Sequence, residues 1–352
     1  MLLSLLLVPL TLVSRVLADD TCQHPSVETY APIPASAAGP AVSNTTGFRV
    51  ESFGQGAYLL TDGLYQVLFL VANESVIVVD APPTIGHNIL KGVQSVTDLP
   101  ISHFVYSHAH ADHIGAASLV TGPNVTTIAH FETASELAQV NDPARPAPNV
   151  TFADHYKLEV CNQTLELAYK GPNHQPGNLF IYAPLQKVLM LVDIVYPGWV
   201  PFENLGESQN IPGYIKAHDQ LLEYDFDHYL GGHLNRAGTR EDVIIQRAYV
   251  TDLYNNCAEA IRLSAEPPSA SNPLSAQTAL AAIAEANPGN SWAMFDHYVA
   301  DVTAEWCANK TQSQWLGRLA AVDVYIKSHA MVMVESLRID FGLLGPFGVA
   351  SK

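Results

Sequence analysis

Charge is scarce in this 352-residue chain, and positive charge scarcer still. Asp, Glu, Lys and Arg make 14% of the residues against 48% hydrophobic ones. That balance permits a well-buried core and speaks against disorder. Only 17 Lys and Arg face 34 Asp and Glu, a formal net charge of −17, which argues against a nucleic-acid backbone or an anionic membrane surface as the natural partner. No apolar run reaches the ~20 residues that cross a bilayer, so no membrane span is expected. Cysteine is rare too: Cys22, Cys161, Cys257 and Cys307, with no C-x-x-C pair. This disfavours a thiolate metal cluster and favours disulfides in an oxidising compartment. Three pairings are open. Cys257–Cys307 is favoured because both fall in helix-like segments of the same C-terminal region, which leaves Cys22 with Cys161.

What is present at the start is a short apolar stretch, Leu2 to Val13, followed by Val16-Leu17-Ala18 before Asp19-Asp20. An apolar core ending in small residues reads as a secretory signal peptide over 1–18, cleaved after Ala18, although no Lys or Arg precedes the stretch. Six Asn-x-Ser/Thr sequons, at Asn44, Asn73, Asn124, Asn149, Asn162 and Asn309, agree with a secreted, glycosylated product.

The remaining chain divides by texture. Residues 19–46 are rich in Pro, Ala and Ser and read as an extended arm. Residues 47–265 carry short β-rich runs, such as Ala57 to Leu60, Tyr65 to Val71, Ser75 to Val79 and Val188 to Val192, with helical patterns between some of them and a long one at the end, Arg240 to Leu263. Residues 266–352 begin with a Pro-Ser linker, Glu266 to Pro273, and continue as helix candidates: Ser275 to Ala286, Trp292 to Ala308 and Gln312 to Leu337. This C-terminal extension holds no cluster of ligand-type side chains and is expected to pack on the catalytic domain or to build an interface.

The informative stretch is Ser107-His108-Ala109-His110-Ala111-Asp112-His113-Ile114-Gly115, placed directly after the apolar strand pattern His103 to Tyr106. Four ligand-type side chains within six residues form a turn able to aim imidazoles and a carboxylate into one space. Neutral imidazole and carboxylate suit zinc, which in catalytic sites leaves one position open.

His108-x-His110-x-Asp112-His113 resembles the signature of the metallo-β-lactamase-fold hydrolases. Three later segments extend the resemblance in order: Gly171-Pro172-Asn173-His174-Gln175-Pro176-Gly177-Asn178, then Val188 to Asp193, then Leu230-Gly231-Gly232-His233. The resemblance implies an α+β fold, a four-layer αβ/βα sandwich with helices outside two facing sheets, here followed by the C-terminal helical extension. It implies two zinc ions per chain. His108, His110 and His174 would hold the first, Asp112, His113 and His233 the second, and Asp193 would bridge them. A hydroxide shared by the two metals would then attack a carbonyl. Asp80, at the end of the strand Val76 to Val79, is a candidate brace for the metal loop. His218 and His228 flank the last metal strand as alternatives to His233.

Asp at position 193 resembles the lactonase, thioesterase and phosphodiesterase branches more than the true β-lactamases. Tyr196, three residues on, resembles the tyrosine that acyl-homoserine lactonases place over the two metals, where a phenol can donate to a developing oxyanion. Asp112 and Tyr196 are therefore the candidate catalytic residues. Trp199 and Phe202 suggest an apolar pocket. The expected activity is opening of a cyclic ester on an apolar small-molecule substrate. A β-lactamase-like or thioester hydrolase is the alternative, with a phosphodiesterase or a non-catalytic secreted binding protein behind it. A phosphodiesterase would want cations near the metals, and 193–210 contain no Lys or Arg.

Overall fold

Strand Gln66–Val71 shows why this chain builds layers. Its Leu68 and Leu70 point to one side and Val67 and Phe69 to the other, and all four are fully buried. A strand apolar on both faces needs cover on both. Leu68 and Leu70 pack against Leu165, Leu167, Ile181 and Met190 of a second sheet. Val67 and Phe69 pack against Ile89 and Val93 of helix Asn88–Gln94.

The computed structural model describes residues 28–348. The expected signal peptide and Cys22 lie outside them. The described residues from Ala31 onward form one compact unit. The first sheet holds seven strands in chain order: β1 (Arg49–Gly54), β2 (Ala57–Thr61), β3 (Gln66–Val71), β4 (Val76–Val79), β5 (Ile101–Val105), β6 (Thr126–His130) and β7 (Val150–Phe152). Pairing is antiparallel from β1 to β4 and parallel from β4 to β7. Parallel neighbours need crossover connections, and helices Asn88–Gln94 and Phe131–Val140 lie in two of them.

The second sheet runs β12-β11-β10-β9-β8, from β8 (His155–Val160), β9 (Gln163–Ala168), β10 (Phe180–Ala183), β11 (Val188–Met190) and β12 (His228–Leu230). It is antiparallel except for the β11–β12 pair. Its outer face, with Phe180 and Leu189, packs on helices Ile211–Leu221 and Arg240–Ala265 through Tyr214, Leu221, Val243 and Leu253. The result is the four-layer αβ/βα sandwich expected from sequence, with a C-terminal helical region added to the second outer layer.

That region departs from expectation in where it breaks. The gap expected between Ala308 and Gln312 is helical: α-helix Glu305–Trp315 runs through it, with Thr311 buried and Asn256 Nδ2 donating to its hydroxyl at 3.0 Å. The break comes at 316–321, where Gly317 (φ +81°) and Ala321 (φ +61°) turn the chain left-handed before helix Val322–Ile339. Cys257 and Cys307 form a disulfide between the helices that carry them. Cys161 is exposed and joins no other described cysteine. No helix among the described residues is long and apolar enough to cross a membrane.

Candidate metal centre

All seven candidate ligands lie in connections that leave one end of the two sheets, Asp112 and His113 within the short helix Ala111–Ile114. His108, His110, Asp112 and His113 follow β5, His174 precedes β10, Asp193 follows β11, and His233 follows β12. Strand ends can present side chains in close register because the ladder fixes their starting points; the loops supply the turn. Asp80 and Asp193 make theirs with positive φ, +67° and +62°, a region that Asp tolerates better than most residues. Gly232 must be glycine for two reasons. Its φ is +85°, and a Cβ there would lie 2.9 Å from His113 Cε1 and 2.6 Å from Val192 Cγ1. Its missing side chain lets the His233 turn close on His113.

The side chains converge in two groups, each with ligand atoms within 4.8 Å of one another: His108, His110, His174 and Asp193, and then Asp112, His113 and His233. Asp193 faces both. Its Oδ2 lies 3.5 Å from His108 Nε2, 3.3 Å from His174 Nε2 and 3.0 Å from His113 Nε2, while Oδ1 lies 2.9 Å from His233 Nε2. His218 and His228 are elsewhere: His218 Nδ1 bonds the Tyr214 carbonyl, and His228 stacks on Phe53.

These residues fit a pair of cations. Ring nitrogens meet ring nitrogens, His174 Nε2 to His110 Nδ1 at 2.8 Å and His113 Nε2 to His233 Nε2 at 3.1 Å. Lone pairs so close repel unless a proton or a cation lies between them. His108 Nε2 is buried with no hydrogen-bond partner, although its Nδ1 is held by the Ser107 hydroxyl at 3.0 Å. A buried polar atom without a partner is costly, and here it points at the carboxylate that both groups share. The donor set is nitrogen and oxygen with no thiolate, as zinc accepts in hydrolytic sites.

Electrostatics favour ligation at His108 and His174. At His113 burial opposes charge, but Asp193 and Asp112 still raise the ring to about 9, so a cation there would displace a proton. Burial would raise Asp193, but His113, His233 and His174 hold its carboxyl well below the usual range. Burial and neighbouring imidazoles hold His108 well below its ordinary value, and burial brings His174 down to about 4, so both rings stay neutral and able to ligate. Asp80, buried and pushed up to about 6 by desolvation, accepts a hydrogen bond from Ser107 N at 2.8 Å. It braces the metal loop through the backbone.

Tyr196 is nearly buried, and its hydroxyl donates to Asp193 Oδ1 at 3.0 Å. Its ring stacks on His233 at 5.6 Å between centroids. A cavity of about 470 Å³ opens over the Asp112–His233 side of the centre, lined by Leu64, Tyr65, Trp199, Phe202 and Tyr325 among others. Sequence reasoning missed Tyr65, whose ring lies 4.6 Å from His233 and whose hydroxyl reaches Asp112 Oδ2 at 3.4 Å. The Asp62-Gly63-Leu64-Tyr65 turn gave no signal beyond a strand start. Tyr325 was hidden in a helix 92 positions beyond His233.

The metallo-beta-lactamase superfamily model matches residues 60–252, more than half of the chain. The chain belongs to the metallo-beta-lactamase superfamily. Among curated proteins, the alpha subunit of 2,4-dinitroanisole O-demethylase from Nocardioides sp. (strain JS1661) is 26% identical over 228 residues, covering 64% of this chain and 67% of that one. Among solved structures, a metallo-beta-lactamase from Pontibacter korlensis superposes with a TM-score of 0.50 at 20% identity, covering 57% of this chain and 97% of that one. The superfamily model spans every ligand candidate from His108 to His233, and its match ends within helix Arg240–Ala265.

Proposed function

We propose that the protein is a secreted dinuclear zinc hydrolase that opens a lactone-like cyclic ester. One zinc would be held by His108, His110 and His174 and the other by Asp112, His113 and His233, with Asp193 shared. When bound, the metals supply an activated water near neutral pH and polarise the substrate carbonyl. The observation that carries the substrate class is the cavity wall: Leu64, Tyr65, Tyr196, Trp199, Val200, Phe202, Leu234 and Tyr325 surround Asp112 and His233, with no Lys or Arg. Such a wall orients a neutral, apolar ring by exclusion of water and gives a phosphodiester no countercharge. Tyr196 holds Asp193 through its hydroxyl and stands where that donor can shift toward a developing oxyanion. Tyr65 orients Asp112 in the same way from the opposite wall.

A second reading draws on the relative named for 2,4-dinitroanisole. The same aromatic wall would accept a flat nitroaromatic ether, with the bond to oxygen cleaved by water in place of an ester bond. Assay of purified, zinc-loaded protein against a lactone, a β-lactam, a thioester, a phosphodiester and 2,4-dinitroanisole separates these readings. Turnover of the lactone above the rest, abolished by chelation and restored by zinc, is expected. Protein carrying two zinc ions per chain that leaves the lactone untouched would overturn the lactonase reading. Secretion is supported by the six sequon asparagines, all exposed, and by the Cys257–Cys307 disulfide. Intact mass of protein recovered from a eukaryotic secretory host should fall on deglycosylation and correspond to a start near Asp19; a retained Met1 contradicts it.

A further inference from the structure

The segment that follows Asp193 is held by its own turns, as where Trp199 N donates to Tyr196 O at 2.8 Å and Gly206 N to Phe202 O at 3.0 Å, and by bonds to the C-terminal region. Residues 196–207 line the cavity through Tyr196, Trp199, Val200 and Phe202 and then turn with Asn204, Leu205, Gly206 and Glu207 all at positive φ, between +52° and +71°. A left-handed turn containing three non-glycine residues is strained backbone, and three hydrogen bonds of its backbone tie this segment to the C-terminal region. Val200 N donates to Ala320 O at 3.1 Å, Ala320 N donates to Gly198 O at 3.0 Å, and Asn204 N donates to Ser328 Oγ at 3.1 Å. His329, fully buried on helix Val322–Ile339, completes the clamp. Tyr249 hydroxyl lies 2.7 Å from its Nδ1, and Phe202 carbonyl lies 2.9 Å from its Nε2. The carbonyl only accepts, so Nε2 carries the ring proton, and Nδ1 accepts from the phenol. Phe202, tied through its carbonyl, sets its ring 5.4 Å from His233 and 5.7 Å from Tyr196.

One helical turn before His329, Tyr325 lines the same cavity beside Trp199 and Phe202. It is half-buried, its ring lies parallel to that of His329 at 6.3 Å, and its hydroxyl has no hydrogen-bond partner among the described residues. The helix thus supplies one wall of the pocket directly and fixes a second through His329. The match to the superfamily model ends at residue 252, so both contributions come from outside the part of the chain that carries the metal ligands.

We propose that Tyr325 is a specificity-determining residue that grips an aromatic ring of the substrate against Phe202 and Trp199, and that His329 is the positioning residue that holds Phe202 for that grip. The substrate class is then a neutral ring-fused ester, an aryl lactone, its aryl ring against Tyr325 and its carbonyl toward His233. The assignment rests on the hydrolase reading above and adds to it which part of the chain selects the substrate.

Two measurements on full-length, zinc-loaded protein test it. The first compares kcat/KM for 3,4-dihydrocoumarin with that for δ-valerolactone, a ring-fused and an aliphatic lactone with the same reacting group. Tyr325→Ala should lower the ratio about tenfold, mainly through KM for the aryl substrate, as loss of one aromatic contact implies, while Tyr325→Phe keeps most of it. His329→Ala should lower the same ratio, and His329→Gln, which retains an N–H for the Phe202 carbonyl, should recover part of it. Val324→Ala, an exposed neighbour, should leave it unchanged. The second measurement is calorimetric binding of 2-naphthol, which needs no turnover. Wild type should bind it, and Tyr325→Ala with unaltered zinc content should bind it several-fold more weakly. Unchanged binding in Tyr325→Ala, or no binding by wild type, overturns the assignment. Loss of lactone hydrolysis in wild type with the binding contrast intact would instead overturn the reaction and leave the ring-binding role standing.

Discussion

Tyr196 is where one hydroxyl separates two roles. Its phenol donates to Asp193, the carboxylate shared by both ligand groups, so Tyr196→Phe removes a charge-assisted bond and leaves the ring packed on Phe202 and His233. Such a bond contributes about 1.5–3 kcal/mol, so kcat on a lactone should fall ~10- to 100-fold with zinc content unchanged. Unaltered kcat and KM would reduce Tyr196 to packing. Gly232 makes the opposite kind of prediction, a loss of metal before any loss of chemistry. Gly232→Ala forces a methyl group toward His113 at a φ that alanine resists, so the second ligand group should open, and if wild type carries the two zinc ions proposed above, elemental analysis should find about one per chain in the variant; two full equivalents would refute this. The residues that converge in the two candidate ligand groups were legible in the sequence because four of them share one turn and the others follow in order at strand ends. Tyr65, Phe202, Tyr325 and His329 were not read as a set, since each alone is an ordinary aromatic or buried histidine and only the fold brings them to one cavity.

At the scale of elements, short apolar runs made β2, β3 and β4 readable, because a strand buried on both faces is nearly continuous in apolar residues. The strand β8, with His155, Lys157 and Glu159 exposed on one face, alternates and so holds no apolar run to mark it, and helix Ile211–Leu221 was masked by Pro212 and Gly213. Those residues suit its start: Pro lies in the first turn, and Asn210 caps it by accepting from Gly213 N at 2.7 Å. The long helix Arg240–Ala265 begins with a device that fixes the chain just after His233. Asp242 accepts from Thr239 N at 2.8 Å and from Nη1 and Nη2 of Arg236, which lies three residues beyond His233, at 3.0 and 2.6 Å. Burial opposes its charge, yet Arg236 and Thr239 hold the Asp242 carboxyl below its ordinary value. Asp242→Ala removes a cap and strands a largely buried guanidinium, at a combined cost of about 2–4 kcal/mol. Urea unfolding of the zinc-loaded variant should show a midpoint lowered accordingly; a midpoint equal to wild type would mean the fork adds nothing.

Across the whole molecule, two buried histidines that stay neutral tie the outer helices to what they pack on. His329 bonds Phe202 and Tyr249, and His218, on helix Ile211–Leu221, bonds the Tyr214 carbonyl and faces Gln246, with Asp219 and Arg247 nearby. Burial lowers both histidines to about 4. In the unfolded chain they protonate near 6.5. As pH falls below 6.5 the unfolded state binds protons that the native state refuses, so stability falls through the window from 6.5 to 4, and it is fully present above that window. Each group contributes about 1.4 kcal/mol per pH unit inside it, hence about 2 kcal/mol between pH 6.5 and 5. His218 lies away from the metal ligands, which makes His218→Gln the clean probe. The amide can still bond the Tyr214 carbonyl and does not titrate. Urea unfolding of zinc-loaded wild type and variant at pH 7 and pH 5 cancels any acid effect on the metals, which both proteins share. The variant should lose about 2 kcal/mol less than wild type over that interval. An equal loss in the two proteins would show that His218 protonates in the native state as readily as in the unfolded one, and that its burial does not set the acid limit of the fold.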